Sequence, residues 1–515
     1  MASRVTIRKG EYHDSVRLMQ ASQQVRRHPG VKEAILMMAT DNNKKILAAA
    51  GMSDDAVANA ARDDLVIAVM ADDDKAAESA LALADEVLAK GAAGGNRQEY
   101  RSLDAALKEN AGANIALISV PGEYAVEEAR NALDLGLNVM LFSDNVSIED
   151  ELALKQQARA NGLLLMGPDC GTAIISGCGL GFANAVRRGN IGLIGASGTG
   201  LQEITTQIDR RGGGVSHAIG VGGRDAKSEI GGMSMLQALK MLAEDDATEV
   251  IVLTSKPPNP SVGKTVLTAA GQCKKPVIVN FLGMDRPSEV AENLTFTKTL
   301  CSAAIEAVVK AGVEIKTESN AAEDALFEIA LGEIEKLAPV QKSLRGLYAG
   351  GTLCYEAMLT LQSQTTIYSN IATDPANLLS DPAHSRDNTL LDLGEDFFTQ
   401  GRAHPMIDPE QRNQRLLQEA ADESVAVILF DVVLGFGAHP DPSGDLCRTI
   451  SKAREQAAAG DRHLIFVASI CGTKQDPQDF ERQLSQLAAA GVIVAASNAE
   501  AVAVAKRILQ QIAPA

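Results

Sequence analysis

The chain has 515 residues, more than a single hydrophobic core usually serves, so three or four domains are expected. Hydrophobic residues make up 46% and charged residues 22%, which excludes wholesale disorder; with 3% aromatics and no Trp, Ala, Val, Ile and Leu must fill the cores. The 66 acidic against 48 basic residues exclude a nucleic-acid scaffold, but not a small phosphorylated ligand held by backbone N–H groups.

Residues 1–95 read as strand, helix, strand, helix, strand, helix, a small α/β domain with strands near 5–7, 31–38 and 65–70 and an amphipathic helix at 73–89. A turn-rich linker, GAAGGNRQ, follows at 91–98. Strands at 114–120, 138–144 and 162–168 then alternate with helices at 122–135 and 148–160, the pattern of a parallel sheet, and set a Rossmann-like domain at 96–189. The pattern restarts at Asn190. Strands at 191–197, 215–223, 249–255 and 276–283 alternate with helices to give a domain at 190–317, and a charged helical connector at 321–337 is expected to be solvated. A further domain occupies 344–515. It repeats the one before: GLIGASGTGLQE (192–203) is echoed by GLYAGGTLCYEA (346–357), EVIVLTSKPP (249–258) by SVAVILFDVV (424–433), and PVIVNFLGM (276–284) by HLIFVASICG (463–472). A duplicated open-sheet domain explains these echoes, with 366–423 as an insertion. The fold class is therefore α/β, with several open, mostly parallel sheets.

Seven scattered Cys with no C-x-x-C pairing predict neither structural zinc nor a disulfide framework. The first residues lack the apolar run of a secretory signal, and no stretch reaches 18 uninterrupted apolar residues, so a cytoplasmic protein without a membrane or nucleic-acid partner is expected.

Gly195-Ala-Ser-Gly-Thr-Gly200 lies between an apolar strand and a helix. Ser197, Gly198, Thr199 and Gly200 thereby bring free N–H groups and hydroxyls to a helix start, a site for an anion. The same residues also suit an ordinary capped turn. The spacing matches neither G-x-G-x-x-G nor a Walker loop, since no G-K-[ST] follows. Gly350, Gly351 and Thr352 repeat the arrangement. Gly222 and Gly223 precede Arg224, which suits a phosphate or carboxylate, or a surface ion pair. Asp169 lies at the end of a strand, where open α/β sheets place ligands. Cys170 has no neighbouring His in sequence and is not expected to be a nucleophile. Gly435 and Gly437 lead to His439, and His404 lies in the irregular stretch 392–413; both His are candidates for proton transfer.

Several of these segments carry a family resemblance. Met166–Thr172, the turn 195–199 with Glu203, and Gly222–Asp225 resemble the α subunit of succinyl-CoA synthetase. ISVPGEYA (118–125), NVMLFSDNVSIEDELALK (138–155) and HPMIDP (404–409) extend the likeness to the FdrA family over nearly the whole chain. The resemblance implies a CoA-binding-like domain at 96–189 and two CoA-ligase-like domains at 190–317 and 344–515, whose helix N-termini hold phosphate between them. It also implies a histidine that carries phosphate and an ATP-grasp domain that supplies it. Here the chain departs from the family. Residues 283–312 contain no His, and no segment has the roughly 200 residues an ATP-grasp domain needs.

An anion cradle without that nucleophile fits direct transfer from an acyl phosphate, and FdrA proteins have been linked to oxamate carbamoyl transfer with companion subunits. In that reading the two glycine turns hold the phosphoryl oxygens, Arg224 clamps the anion, and His404 or His439 moves a proton. Two other readings are an acyl-CoA synthetase subunit and a non-catalytic subunit binding acyl-CoA or phosphate. Coenzyme A or a carbamoyl phosphate is the expected ligand, no metal is expected, and a homodimer is compatible with the chain.

Overall fold

Strands buried on both faces, rich in Val, Ile and Leu, pair in parallel beneath helices, and most of this chain is built so. The computed structural model describes residues 2–11, 13, 15–92, 100–315, 321–399 and 402–512. They fall into two compact units, one of residues 1–113 with 399–408 and one of 114–398 with 409–515.

In the first unit, strands Ala2–Arg8, Val31–Met38 and Leu65–Ala71 pair antiparallel in the order first, third, second. The central strand, LVIAVMA, is almost wholly buried. Helices Ser15–Arg26 and Asp74–Ala92 lay Leu18, Val25, Ala80 and Leu88 on one sheet face, while Leu47, Met52 and Val57 cover the other. The expected alternation of strands and helices is present. Segment 399–408 clusters with this unit, where Asp408 Oδ2 accepts from Arg26 Nη1 at 2.9 Å. From residue 93 to residue 98, the expected linker lies outside the described residues.

The second unit holds three sheets. Strands Ile115–Ile118, Asn138–Leu141 and Leu165–Met166 form a small parallel sheet with helices Gly122–Asp134 and Ile148–Ala160. A seven-stranded sheet runs Leu294–Phe296, Val277–Phe281, Val250–Ser255, Arg188–Gly195, Val215–Gly220, Thr172–Ile175, Cys178–Gly181; its first five strands are parallel and the last two antiparallel. Strand pairing thus places the hairpin 172–181 with the following sheet, ahead of the boundary expected at residue 189. The third sheet is parallel throughout: Tyr368–Ser369, Thr389–Asp392, Ser343–Tyr348, Val425–Val433, Ile465–Cys471, Ile493–Ala495.

The second and third sheets carry equivalent helices, as the sequence echo predicts. Helix Gly198–Arg210 follows the central strand Arg188–Gly195, and helix Gly351–Leu361 follows Ser343–Tyr348. Each contributes a buried glutamate, and each glutamate reaches the other half. Glu203 Oε1 accepts the N–H of Asn498, the first residue of helix Asn498–Ile512, at 3.3 Å. Glu356 Oε1 accepts the N–H of Leu300, the first residue of helix Leu300–Lys310, at 2.7 Å. The connector helix Ala321–Ile334 is not wholly solvated. Its Phe327 is buried, with the Arg507 guanidinium 3.8 Å from the ring centroid. No helix among the described residues is long and apolar enough to cross a membrane.

Candidate functional site

The parallel pairing of each central strand delivers a helix start at its carboxyl end. At the first, Ser197 is the cap and its Oγ accepts the Gly200 N–H at 2.9 Å. The amides of Gly198 and Thr199 have no acceptor among the described residues. At the second, Gly350 is the cap and offers no side chain, so the amides of Gly351, Thr352 and Leu353 also lack an acceptor there. The two starts touch. Ser197 Oγ and Thr352 Oγ1 are 2.5 Å apart. A Cβ added at Gly350 would stand 3.1 Å from Thr199 Cγ2, and one at Gly200 would stand 3.3 Å from Thr352 Cγ2. Five unsatisfied N–H groups at the positive ends of two helix dipoles therefore gather in one place.

Acidic groups flank them. Asp431, buried in the strand Val425–Val433, accepts the N–H groups of Ala349 and Gly350, both at 2.7 Å. This corrects the expectation for Gly350, whose amide is occupied by protein. Burial raises the Asp431 carboxyl, and Arg412, 3.6 Å away, opposes that rise. Asp392 is 3% exposed; its Oδ1 accepts from Gly394 N–H at 3.0 Å, and its carboxylate lies so close over Gly351 that a Cβ there would collide with it. Burial pushes its carboxyl up to about 7, against the pull of Lys256. Lys256 follows the strand Val250–Ser255, and its Nζ is 5.9 Å from the Tyr355 ring centroid. The loop after Val277–Phe281, where the family's histidine would stand, packs on the same helix: a Cβ at Gly283 would lie 3.2 Å from Leu359 Cδ1 and 3.7 Å from the Tyr355 hydroxyl.

Sequence reasoning placed Ser197, Gly198, Thr199, Gly200, Gly351 and Thr352 at this point, and the structure brings them together. It missed Asp392, Asp431, Lys256 and Tyr355. One signal was available: a lone Asp within the apolar strand VAVILFDVV needs a buried partner.

The other candidates have different partners. Arg224 Nε pairs with Glu151 Oε2 at 2.8 Å, and Glu151 also pairs with buried Lys155 at 2.9 Å. Gly222, at φ +81°, packs against the Pro168 carbonyl, leaving no room for a Cβ, while Gly223 faces open space. Asp169 is exposed after the strand Leu165–Met166, within electrostatic reach of Asp144, Arg224, Glu395 and Asp396. The amide and carbonyl of Gly435 engage the Gln478 side chain at 3.1 and 2.8 Å, and Gly437 packs on Phe182; these glycines serve packing, a correction to the phosphate-binding expectation. His439 is buried, with Nε2 3.1 Å from Asp445 and Nδ1 accepting from Asp441 N–H at 3.1 Å. Both ring nitrogens are thus engaged, one by its own loop and one by Asp445 on helix Pro442–Ala458. His404 belongs to the first unit, where its Nδ1 accepts the Met406 N–H at 3.2 Å and burial lowers its pKa to about 4. Burial pushes the Cys170 thiol up to about 12, so it stays protonated and is no nucleophile.

Family descriptions match three stretches. Residues 347–508 match a family described as CoA-ligase, residues 186–283 a CoA binding domain, and residues 1–104 "AllF, heavy metal-associated domain". The CoA-binding match falls on the sheet carrying Ser197, rather than on 96–189. Residues 1–113 contain no Cys, and no group of three or more His, Cys, Asp or Glu able to hold a metal exists among the described residues, so the residues present do not fit a heavy metal. The uncharacterized protein YahF of Escherichia coli K12 is 44% identical over 97% of this chain and 97% of its own length. Succinate–CoA ligase [ADP-forming] subunit alpha 1 of Archaeoglobus fulgidus is 28% identical over 36% of this chain and 64% of that subunit. Subunit alpha of the Aquifex aeolicus enzyme is 26% identical over 42% of this chain and 73% of its own. The chain belongs to the FdrA family that includes YahF and carries CoA-binding and CoA-ligase domains, as in the succinyl-CoA synthetase plan.

Proposed function

We propose that this chain is the phosphate-binding subunit of a transferase that moves an acyl or carbamoyl group by way of an acyl phosphate, without a phosphohistidine. The observation that carries this reading is the meeting of two helix starts with five unsatisfied amides: Gly198, Thr199, Gly351, Thr352 and Leu353. Converging N–H groups hold phosphoryl oxygens and stabilise the charge that grows on the leaving phosphate. The Ser197 and Thr352 hydroxyls bond to each other, which leaves one of them free to donate in the same place. With no His in 283–312, transfer from a bound acyl phosphate needs no covalent relay on this chain. The clamp role of Arg224 is weakened by its ion pair with Glu151, and a proton role for His439 by its buried pairing. Companion subunits supply the acceptor site, and a reducing, cytoplasmic setting fits seven unpaired Cys.

A second reading, a subunit of an NDP-forming acyl-CoA ligase, is favoured by the matches to the CoA-ligase and CoA-binding families. Thermal shift of the full chain with inorganic phosphate, carbamoyl phosphate, CoA and ADP, each alone, separates the readings, because a ligand of the folded form raises its melting temperature. Carbamoyl phosphate and phosphate should stabilise it. Stabilisation by CoA but by neither phosphate compound would replace the first reading with the second. No shift with any ligand would leave a structural subunit.

A further inference from the structure

We propose that Asp392 is the acid that delivers a proton to the departing phosphate oxygen at the paired helix starts. This rests on the reading above, since it needs an acyl phosphate bound there. Asp392 closes the strand Thr389–Asp392, next to the strand that feeds helix Gly351–Leu361. Gly394 N–H fixes its Oδ1 at 3.0 Å. Its Oδ2 has no hydrogen-bond partner among the described residues, although the side chain is almost fully buried. That oxygen lies over Gly351, whose amide is one of the five without an acceptor. An unmet N–H is costly, and an acid oxygen beside it that no protein group engages has a hydrogen bond to give. Side by side, the two are completed by a single ligand: the amide donates to one phosphate oxygen and the carboxylic acid donates to another.

An ionised Asp392 would repel that anion, so the acid form is the one that binds. Its surroundings favour this form. Burial raises its carboxyl, Glu395 in the following turn and Asp431 on the strand Val425–Val433 oppose its ionisation, and Lys256 at the end of Val250–Ser255 favours it. The Cys354 thiol on the facing helix stays protonated and carries no charge. In the transfer, the acceptor's lone pair forms a bond to the acyl carbon while the bond from that carbon to the bridging oxygen breaks. The electron pair leaves on the oxygen, the Asp392 proton joins it to give hydrogen phosphate, and the acceptor's proton passes through solvent to restore the acid.

The test uses the full chain and the complex purified on it. Inorganic phosphate and carbamoyl phosphate binding is measured by calorimetry from pH 5.5 to 8.5 for wild type, Asp392→Asn and Asp392→Ser, together with transfer from carbamoyl phosphate. Asn keeps a donor at every pH but holds no mobile proton. Wild-type phosphate affinity should fall about tenfold more than that of Asp392→Asn as pH rises, because only the wild-type side chain becomes an anion. Transfer by Asp392→Asn should drop by about 10²–10⁴-fold and lose the alkaline limb of its pH profile. Equal affinities, equal pH dependence and equal rates would overturn the role of Asp392 and leave the phosphate site standing. Failure of the wild type to bind either phosphate compound would overturn both.

Discussion

The Glu356 carboxylate accepts the N–H of Leu300 at 2.7 Å, so a side chain from the second half of the duplicated fold closes the start of a helix in the first half. Glu203 returns the contact at Asn498, and the Asn498 amide donates to Glu356 Oε2 at 2.7 Å. Two helices that each present free amides at one end are thus anchored along their length by exchanged caps. Because the caps are buried and directional, they fix the register between the halves and with it the spacing of the two helix starts.

Exchanging Glu356 for Gln should alter how stability depends on pH. Burial raises the Glu356 carboxyl from 4.5 to about 7, while the hydrogen bonds from Asn498 and Leu300 oppose the rise and Glu203 adds to it. The folded state therefore holds a proton that the unfolded chain loses. The resulting stability is full below 4.5 and is lost as pH rises through about 7. A shift of that size corresponds to on the order of 3 kcal/mol. Urea unfolding at pH 5 and pH 8 should show a smaller difference for Glu356→Gln than for wild type, and an unchanged difference would contradict the assignment.

Asp431→Ala should be among the most damaging single changes. It removes the acceptor for two amides and leaves buried Arg412 without its counter-charge. Breaking one side of a buried pair costs about 3–5 kcal/mol. The shift in the denaturation midpoint reports it.

The Ser197–Thr352 contact predicts non-additivity. Ser197→Ala loses the cap of Gly200, at a cost of about 1 kcal/mol, and also the hydroxyl bridge. Thr352→Val loses only the bridge. Stabilities of the two single variants and the double variant should show coupling of at least about 0.5 kcal/mol; simple addition would mean that the bridge contributes nothing.

Glycines at the two starts should respond differently. A methyl group at Gly198 meets Thr172 Oγ1 at 3.3 Å and can be accommodated by a small shift, whereas one at Gly351 runs into the Asp392 carboxylate. Gly198→Ala should bind phosphate within a few-fold of wild type. Gly351→Ala should lose at least about tenfold, roughly 1.4 kcal/mol by the relation between affinity and free energy. Equal affinities for the two variants in calorimetry would mean that the anion does not rest on the second helix.

How far the sequence reaches can be read from particular residues. Gly198 and Gly351 were visible because strand, glycine turn and helix leave a local signature, and the internal echo predicted two such turns. That the turns meet is a tertiary fact, though Glu203 and Glu356, each six residues after its helix cap, carried a trace of it. Asp392 was hidden because it ends a short strand inside an irregular insertion, and its role depends on a helix some forty residues earlier. His404 and His439 stood out only as rare residues beside glycines, and the Nδ1 of each accepts the N–H of the residue two places on. The hairpin 172–181 was not legible in the sequence, because short antiparallel strands carry no sign of which sheet edge they will extend.

Segment 399–408 joins residues 1–113 although it is strung between elements of the other unit, so the backbone passes between the units at 113–114, 398–399 and 408–409. Trimming the gene at residue 113 would orphan Met406 and Ile407, which are buried in the intact protein. The amino-terminal portion is therefore no detachable tag. A truncated product would carry a sticky ten-residue remnant, and its failure in a cell would report misfolding rather than the loss of whatever the missing portion does.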